Sequence, residues 1–269
     1  MKFPHLSALV EIDPLLRRQA LENILIAEQL PYTIQEKGPE FNLPLGIKNY
    51  LIDAPADAFQ PSPSLLLCAH YDAFPGSMGA NDNAAGIAIL LELTKVLRNR
   101  KINHRIAFFD GEESKQAGSK FFVKEGMDHA VNGVINLELC GFGDSMIFTL
   151  RGRTRKSPLE LFDNRKFIKS QNAIRLKHMP TGDDASFRNK YPIVSLAMVP
   201  YWDVQYLKAM ANLGSALGRP PEYYQILSEM EVATTMHGGY RDSLEYIDEG
   251  AMSRVYDFLL NLFHVPGST

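Results

Sequence analysis

Short apolar runs alternate with helically periodic segments between residues 64 and 137, and this alternation restricts the fold more than any other feature of the chain. Ser64 to Ala69 is an apolar run introduced by the turn signal Gln60-Pro61-Ser62-Pro63. Ala84 to Leu97 places its apolar residues at helical spacing, and Arg105 to Phe109 is apolar again. A second helix over Gly118 to Lys124 and a strand over Gly133 to Leu137 continue the pattern. Strands separated by helices pair in parallel, because the crossover returns the chain to the same end of the sheet, and such sheets are covered on both faces. The expected fold is α/β, a three-layer α/β/α sandwich with a central mixed, mainly parallel sheet.

Further strands are expected around Asn49 to Ile52, Met146 to Leu150 and Ile193 to Val199. Asp13-Pro14 is an N-cap and first-turn pair, and Leu15, Ile24 and Leu25 among charged residues make an amphipathic helix that Pro31 closes. A last helix near Met252 to Phe263 would turn Val255, Phe258, Leu259 and Phe263 to the sheet. Gln205 to Met230, rich in Leu, Ala, Tyr and Pro, reads as a helical or loop insertion. No repeat or linker interrupts the chain, so residues 1–269 are expected to form one catalytic domain, with residues 203–232 as a candidate for shaping specificity.

With 45% apolar and 22% charged residues the chain can build a core without disulfides. Its two cysteines, Cys68 and Cys140, lie in or just after apolar runs, as buried free thiols do, which favours a reducing, cytoplasmic location. The opening stretch is too short and too interrupted by Pro4, His5 and Glu11 to read as an export signal, so none is expected, and no apolar run approaches the roughly 18 residues that span a bilayer. A net charge of -3 argues against a nucleic-acid surface, and the basic cluster from Arg151 to Lys156 reads as a solvated loop. Oligomeric state is left open.

The chemistry lies at the strand ends. His70 follows one apolar run, Glu112 and Glu113 follow the next, and Glu138 closes a third. In an open α/β sheet, ligands bind beyond the carboxyl ends of the strands, so side chains scattered in sequence converge on one crevice. Asp82, in the turn Gly79-Ala80-Asn81-Asp82-Asn83 before a helix, reaches the same place. Singly these are a strand-end histidine, a helix cap and a solvated loop; together they are imidazole and carboxylate donors, the set that suits zinc. Asp82 can bridge two ions about 3.5–4 Å apart. At a strand end Glu113 can bind metal while Glu112 acts as base on a bound water. Asp72, two residues after His70, can orient the imidazole through its second nitrogen.

Four motifs then carry a resemblance: His70-Tyr71-Asp72, Gly79-Ala80-Asn81-Asp82-Asn83-Ala84-Ala85-Gly86, Phe108-Phe109-Asp110-Gly111-Glu112-Glu113 and Asn136-Leu137-Glu138. In order and spacing they resemble the co-catalytic dizinc exopeptidases, which include bacterial aminopeptidases, glutamate carboxypeptidase and glutaminyl cyclase, over roughly residues 46–262. The resemblance implies two zinc ions, one held by His70 and Glu138 and the other by Glu113 and His237, with Asp82 bridging and Glu112 as general base. It alone supplies His237, in the loop Met236-His237-Gly238-Gly239, ahead of His129, His178 and His264. It also implies a cis peptide after Asp82.

The sequence departs from the family at three places. Glu138 stands where the aminopeptidases carry aspartate. In Thr181-Gly182-Asp183-Asp184-Ala185-Ser186-Phe187 the family's histidine is replaced, on this reading by Asp184. The tyrosine that stabilises the oxyanion has no counterpart, Thr181 and Met236 occupying its places and Tyr240 being a candidate substitute. The leading expectation is an aminopeptidase acting on peptides. A single-zinc glutaminyl cyclase, a carboxypeptidase of small peptides and a non-catalytic binding module are the alternatives; the last usually loses ligands, and here all five are kept.

Overall fold

The computed structural model describes residues 2–40, 43–55, 64–126, 131–155, 157–211, 213 and 220–263. The turn signal at residues 60–63, His129, Lys156, His264 and part of the 203–232 insertion lie outside the described residues. One eight-stranded sheet organises the rest. Its strands are β1 (Thr33–Lys37), β2 (Ile47–Asp53), β3 (Ser64–His70), β4 (His104–Phe109), β5 (Val131–Leu137), β6 (Ser145–Arg151), β7 (Ala173–Arg175) and β8 (Ile193–Val199), in the spatial order β1-β2-β4-β3-β5-β8-β6-β7. The central run β4-β3-β5-β8 is parallel, β2 and β6 pair antiparallel with its two ends, β1 pairs antiparallel with β2, and β7 pairs parallel with β6. This is the mixed, mainly parallel sheet expected from the alternation.

The helices are α1 (Leu6–Leu9), α2 (Pro14–Ala27), α3 (Ala85–Asn99), α4 (Ala117–Glu125), α5 (Arg165–Ser170), α6 (Asp203–Met210), α7 (Pro221–Glu229) and α8 (Glu249–Leu262). They cover both faces, and β3 shows why. Its Leu65, Leu67 and Ala69 join a core shared with α1, α2, α3 and α8, while Leu66 and Cys68 join a second core with Phe122 of α4 and Phe187. Successive side chains of a strand point to opposite faces, so a continuous apolar run is what a strand buried on both sides requires. A third cluster, including Ile147, Ala197, Val204, Leu207 and Tyr223, docks α6 and α7 onto the far end of the sheet.

The opening helix forms for local reasons. The Asp13 carboxylate accepts from the amides of Leu15 and Leu16 at 2.8 and 3.1 Å, and Pro14 takes the first helical position, where no amide hydrogen is needed. Strand β1, like the short elements α1, α5 and β7, is one that the sequence does not announce. Its residues Thr-Ile-Gln-Glu-Lys are mostly exposed at the sheet edge, so they carry no apolar run to read. The two cysteines are free and buried. No helix among the described residues is long and apolar enough to cross a membrane.

After β3, the chain goes first to β4 on one side and then to β5 on the other. That reversal opens a crevice at the carboxyl end of β3, the position where open α/β sheets bind ligands.

Candidate active site

The five expected ligands and the expected base come together at that crevice. His70 ends β3, Glu138 follows β5, Glu112 and Glu113 lie in the loop after β4, Asp82 sits in the turn Ala80–Ala84 that feeds α3, and His237 lies between α7 and α8. The Nε2 atom of His70 is 3.2 Å from Asp82 Oδ1 and 3.3 Å from Glu138 Oε2. His237 Nε2 stands 3.8 Å from Glu113 Oε2, and the His237 amide donates to Asp82 Oδ2 at 3.3 Å. Two groups of donors result, His70–Asp82–Glu138 and Asp82–Glu113–His237, each with its ligand atoms within 4.8 Å of one another. They share Asp82. Glu112 belongs to neither, and its Oε1 accepts from the Gln116 amide at 3.2 Å.

Neighbouring residues hold these side chains in place. Asp72 orients His70, but its carbonyl oxygen does so, 3.0 Å from Nδ1, while the nearest carboxylate oxygen is at 3.5 Å. The Asp72 carboxylate instead accepts from the amides of Glu112 and Glu113 at 3.0 and 3.1 Å, fixing the loop that presents them. The Glu138 carboxylate accepts from Asn136 at 2.7 Å and Asn83 at 3.3 Å. Gly182 passes so close that a Cβ there would overlap Glu138 Oε1. Asp242 accepts from the amides of Asn81 and Asp82 at 2.8 and 3.2 Å, which ties the Asp82 turn to the segment carrying His237. His237 itself adopts a positive φ of 49°, uncommon for a residue other than glycine, and its ring packs against Phe74 at 5.8 Å.

So many carboxylates in one buried place cannot all be charged without a cation. Burial pushes Glu112 up to about 7, with Glu138 and Asp72 adding to the effect, and pushes Glu113 up to about 9, with Asp82 adding to it. Burial opposes the charged form of His70, yet Glu138, Asp72 and Asp82 outweigh it and hold its pKa well above the usual range. Glu113 Oε1 is buried without a hydrogen-bond partner. An acceptor left bare beside two other donors fits a metal ion, which would reverse the sign of the local electrostatics.

The sequence profile of Peptidase family M28 matches residues 52–263. The chain belongs to this family. A vacuolar membrane protease of Candida tropicalis is 36% identical over 88 residues, which is 32% of this chain and only 10% of that protein, so the chain spans a small part of that curated relative. Among solved structures, a leucine aminopeptidase precursor from Bacteroides thetaiotaomicron superposes with a TM-score of 0.69 at 17% identity, covering 99% of this chain and 96% of that one. A glutaminyl cyclase from the same organism superposes with a TM-score of 0.68 at 17% identity, covering 99% and 97%. At such identities the two superpositions show the shared fold.

Several M28 features take a form here that the sequence left open. The Asp82–Asn83 peptide is cis, as the resemblance implies. Asp184 is engaged elsewhere: it pairs with Arg188 at 2.5 Å and accepts from the Gly182 amide at 3.0 Å. Its neighbour Asp183 is fully buried with both carboxylate oxygens unpartnered, and burial, with Glu112 and Glu138 in electrostatic reach, pushes it well above the usual carboxylate range. Tyr240 is 69% exposed and turns its ring to Tyr246.

Arg17 was missed as well, and it lies outside the matched region. It is 2% exposed, donates to the carbonyls of Glu11 and Met78 and to that of Gly79 at 3.4 Å, and faces the charges of Asp72, Asp242 and Asp82. A Cβ on Gly79 would come within 2.6 Å of its guanidinium. One signal was available. Arg17 falls on the same helical stripe as the buried Leu21, Ile24 and Leu25, where a charged residue needs a reason.

Proposed function

We propose that this chain is a zinc-dependent aminopeptidase, with two zinc ions held by His70–Asp82–Glu138 and Asp82–Glu113–His237. The observation that carries the proposal is the pair of donor groups sharing one carboxylate, the arrangement that two ions about 3.5–4 Å apart require. Zinc, when bound, polarises the scissile carbonyl and lowers the pKa of a water. Glu112 is the residue placed to take that proton and deliver it to the leaving amine, because it is buried at the crevice yet outside both donor groups.

A cavity of about 140 Å³ opens from Asp82, Glu112, Glu138 and His237. Ile147, Val199, Leu207, Met230 and Val232, all buried, line it. We assign it the side chain of the terminal residue, with an apolar preference set by the sheet and the insertion together. The names of solved relatives such as the leucine aminopeptidase precursor support the amino-terminal choice. The free, buried thiols of Cys68 and Cys140 support a reducing, cytoplasmic location.

Metal analysis with a substrate panel tests the reading. The expected result is two zinc ions per chain, with leucyl anilides and free dipeptides hydrolysed and N-acylated peptides left intact. Hydrolysis of blocked peptides alone would sink it. So would one zinc ion together with ring closure of amino-terminal glutamine and release of ammonia, the cyclase outcome.

A further inference from the structure

The apolar cavity is one of two hollows that meet the carboxylate cluster. The second, of about 370 Å³, touches Glu113 and Asp72 instead of Glu112 and Glu138. Four segments converge to form it: the start of α2, the turn before β2, the loop after β3 and the loop after β4. The first two precede residue 52, where the family match begins.

The two hollows differ in their walls. The first is lined mostly by buried residues, whereas Ile12, Leu45 and Phe74 at the rim of the second are 54%, 39% and 41% exposed. Phe74 also lies against His237, so the groove runs on directly from the proposed metal centre. Most of its charged floor is engaged within the protein, with Glu113 Oε1 and Arg18 Nε left buried and unpartnered. The amino groups of Arg17 bond to main-chain carbonyls, and those of Arg18 bond to Leu45 O at 3.0 Å, Gly46 O at 3.3 Å and Asp110 Oδ2 at 2.6 Å. What the rim of the groove offers a ligand is apolar: Ile12, Leu45, Phe74 and the rings of Pro44 and Pro75. Exposed apolar side chains gathered at a catalytic crevice mark a contact surface, unlike single ones scattered elsewhere.

We propose that this groove binds the residue that follows the scissile bond and selects an apolar side chain there. The inference rests on the aminopeptidase reading. The smaller cavity, with buried apolar walls, suits the side chain of a terminal residue, while the larger groove, rimmed by exposed side chains, has room for the residue that continues the chain. Peptides with an apolar second residue are then the preferred substrates.

The test is a series Leu-Xaa-Gly, with Xaa as Leu, Phe, Gly or Asp, assayed on the full chain. Burial of one apolar side chain separates substrates by about tenfold or more in kcat/KM, so Leu and Phe should exceed Gly by that factor. In Leu45→Ser and Phe74→Ser the ratio of Leu to Gly should fall towards one. Both residues are exposed, and an unchanged thermal midpoint would show that each variant folds. If wild type cleaves every member with equal kcat/KM, or if the ratio is unmoved in both variants, the groove assignment fails alone. If no member is cleaved while N-acylated peptides are, the aminopeptidase reading fails and the groove assignment with it.

Discussion

Glu112 and Glu113 are adjacent in sequence, yet the crevice gives them different work. Glu113 joins the second donor group and leaves Oε1 bare, whereas Glu112 stays outside both groups beside Gln116. The division yields a sharp expectation for Glu112→Gln. The amide keeps the shape and the Gln116 contact but cannot take a proton, so kcat should fall about 10²–10⁴-fold. Zinc content, measured on the same preparation, should be unchanged. Loss of metal together with activity would show that Glu112 is a ligand. Glu138, one methylene longer than the aspartate expected from the resemblance, is held from two sides by Asn136 and Asn83. Its extra length is thus taken up by fixed contacts.

At the scale of elements, helix α2 is more than a packing helix. Its cap at Asp13 sets the entry of the chain, and Arg17 on its buried stripe reaches the turn that leads to Asp82. Replacing Arg17 by Met would keep the volume and leave the carbonyls of Glu11, Met78 and Gly79 without their donor. The cost should be on the order of 3 kcal/mol, read as a lower urea midpoint. Activity should fall further than stability predicts, because the Asp82 turn loses its brace. Equal urea midpoints for variant and wild type would show that water replaces the guanidinium and that the brace is unimportant.

For the whole molecule, the concentration of acid at one end of the sheet makes stability depend on metal and on pH together. In metal-free protein Glu113, with its ordinary value of 4.5 pushed up to about 9, keeps a proton that the unfolded chain has lost. The folded state then binds more protons, so stability falls as pH rises between those values. Bound zinc removes the cause, since the carboxylate is charged against a cation. Chelated protein should therefore lose urea stability from pH 5 to about pH 9. At roughly a hundred times the dissociation constant, zinc should restore about 2.7 kcal/mol for each site filled. A chelated protein whose midpoint rises over the same range would contradict the electrostatic picture.

The sequence by itself determined the layered fold and most of the donor set. Period-two and period-3.6 patterns are local, and strands buried on both faces advertise themselves as the runs ending at His70, Phe109 and Leu137. An acid or histidine just past such a run has only one crevice to enter. Even Asn136 was legible in principle, since it lies near the end of β5, two residues before Glu138. Only the tertiary structure decided the rest. It showed that the carbonyl of Asp72 meets His70 while its carboxylate holds the glutamate loop. It also showed that Asp184 is paired with Arg188 while Asp183 is left without hydrogen-bond partners in electrostatic reach of Glu112 and Glu138, and that Asp242 and Arg17 brace the Asp82 turn from 160 and 65 residues away. The edge strand β1 and the groove beside Glu113 belong to the same class. Each depends on which loops the closed sheet brings together, and contact between segments distant in the chain leaves no periodic trace in either.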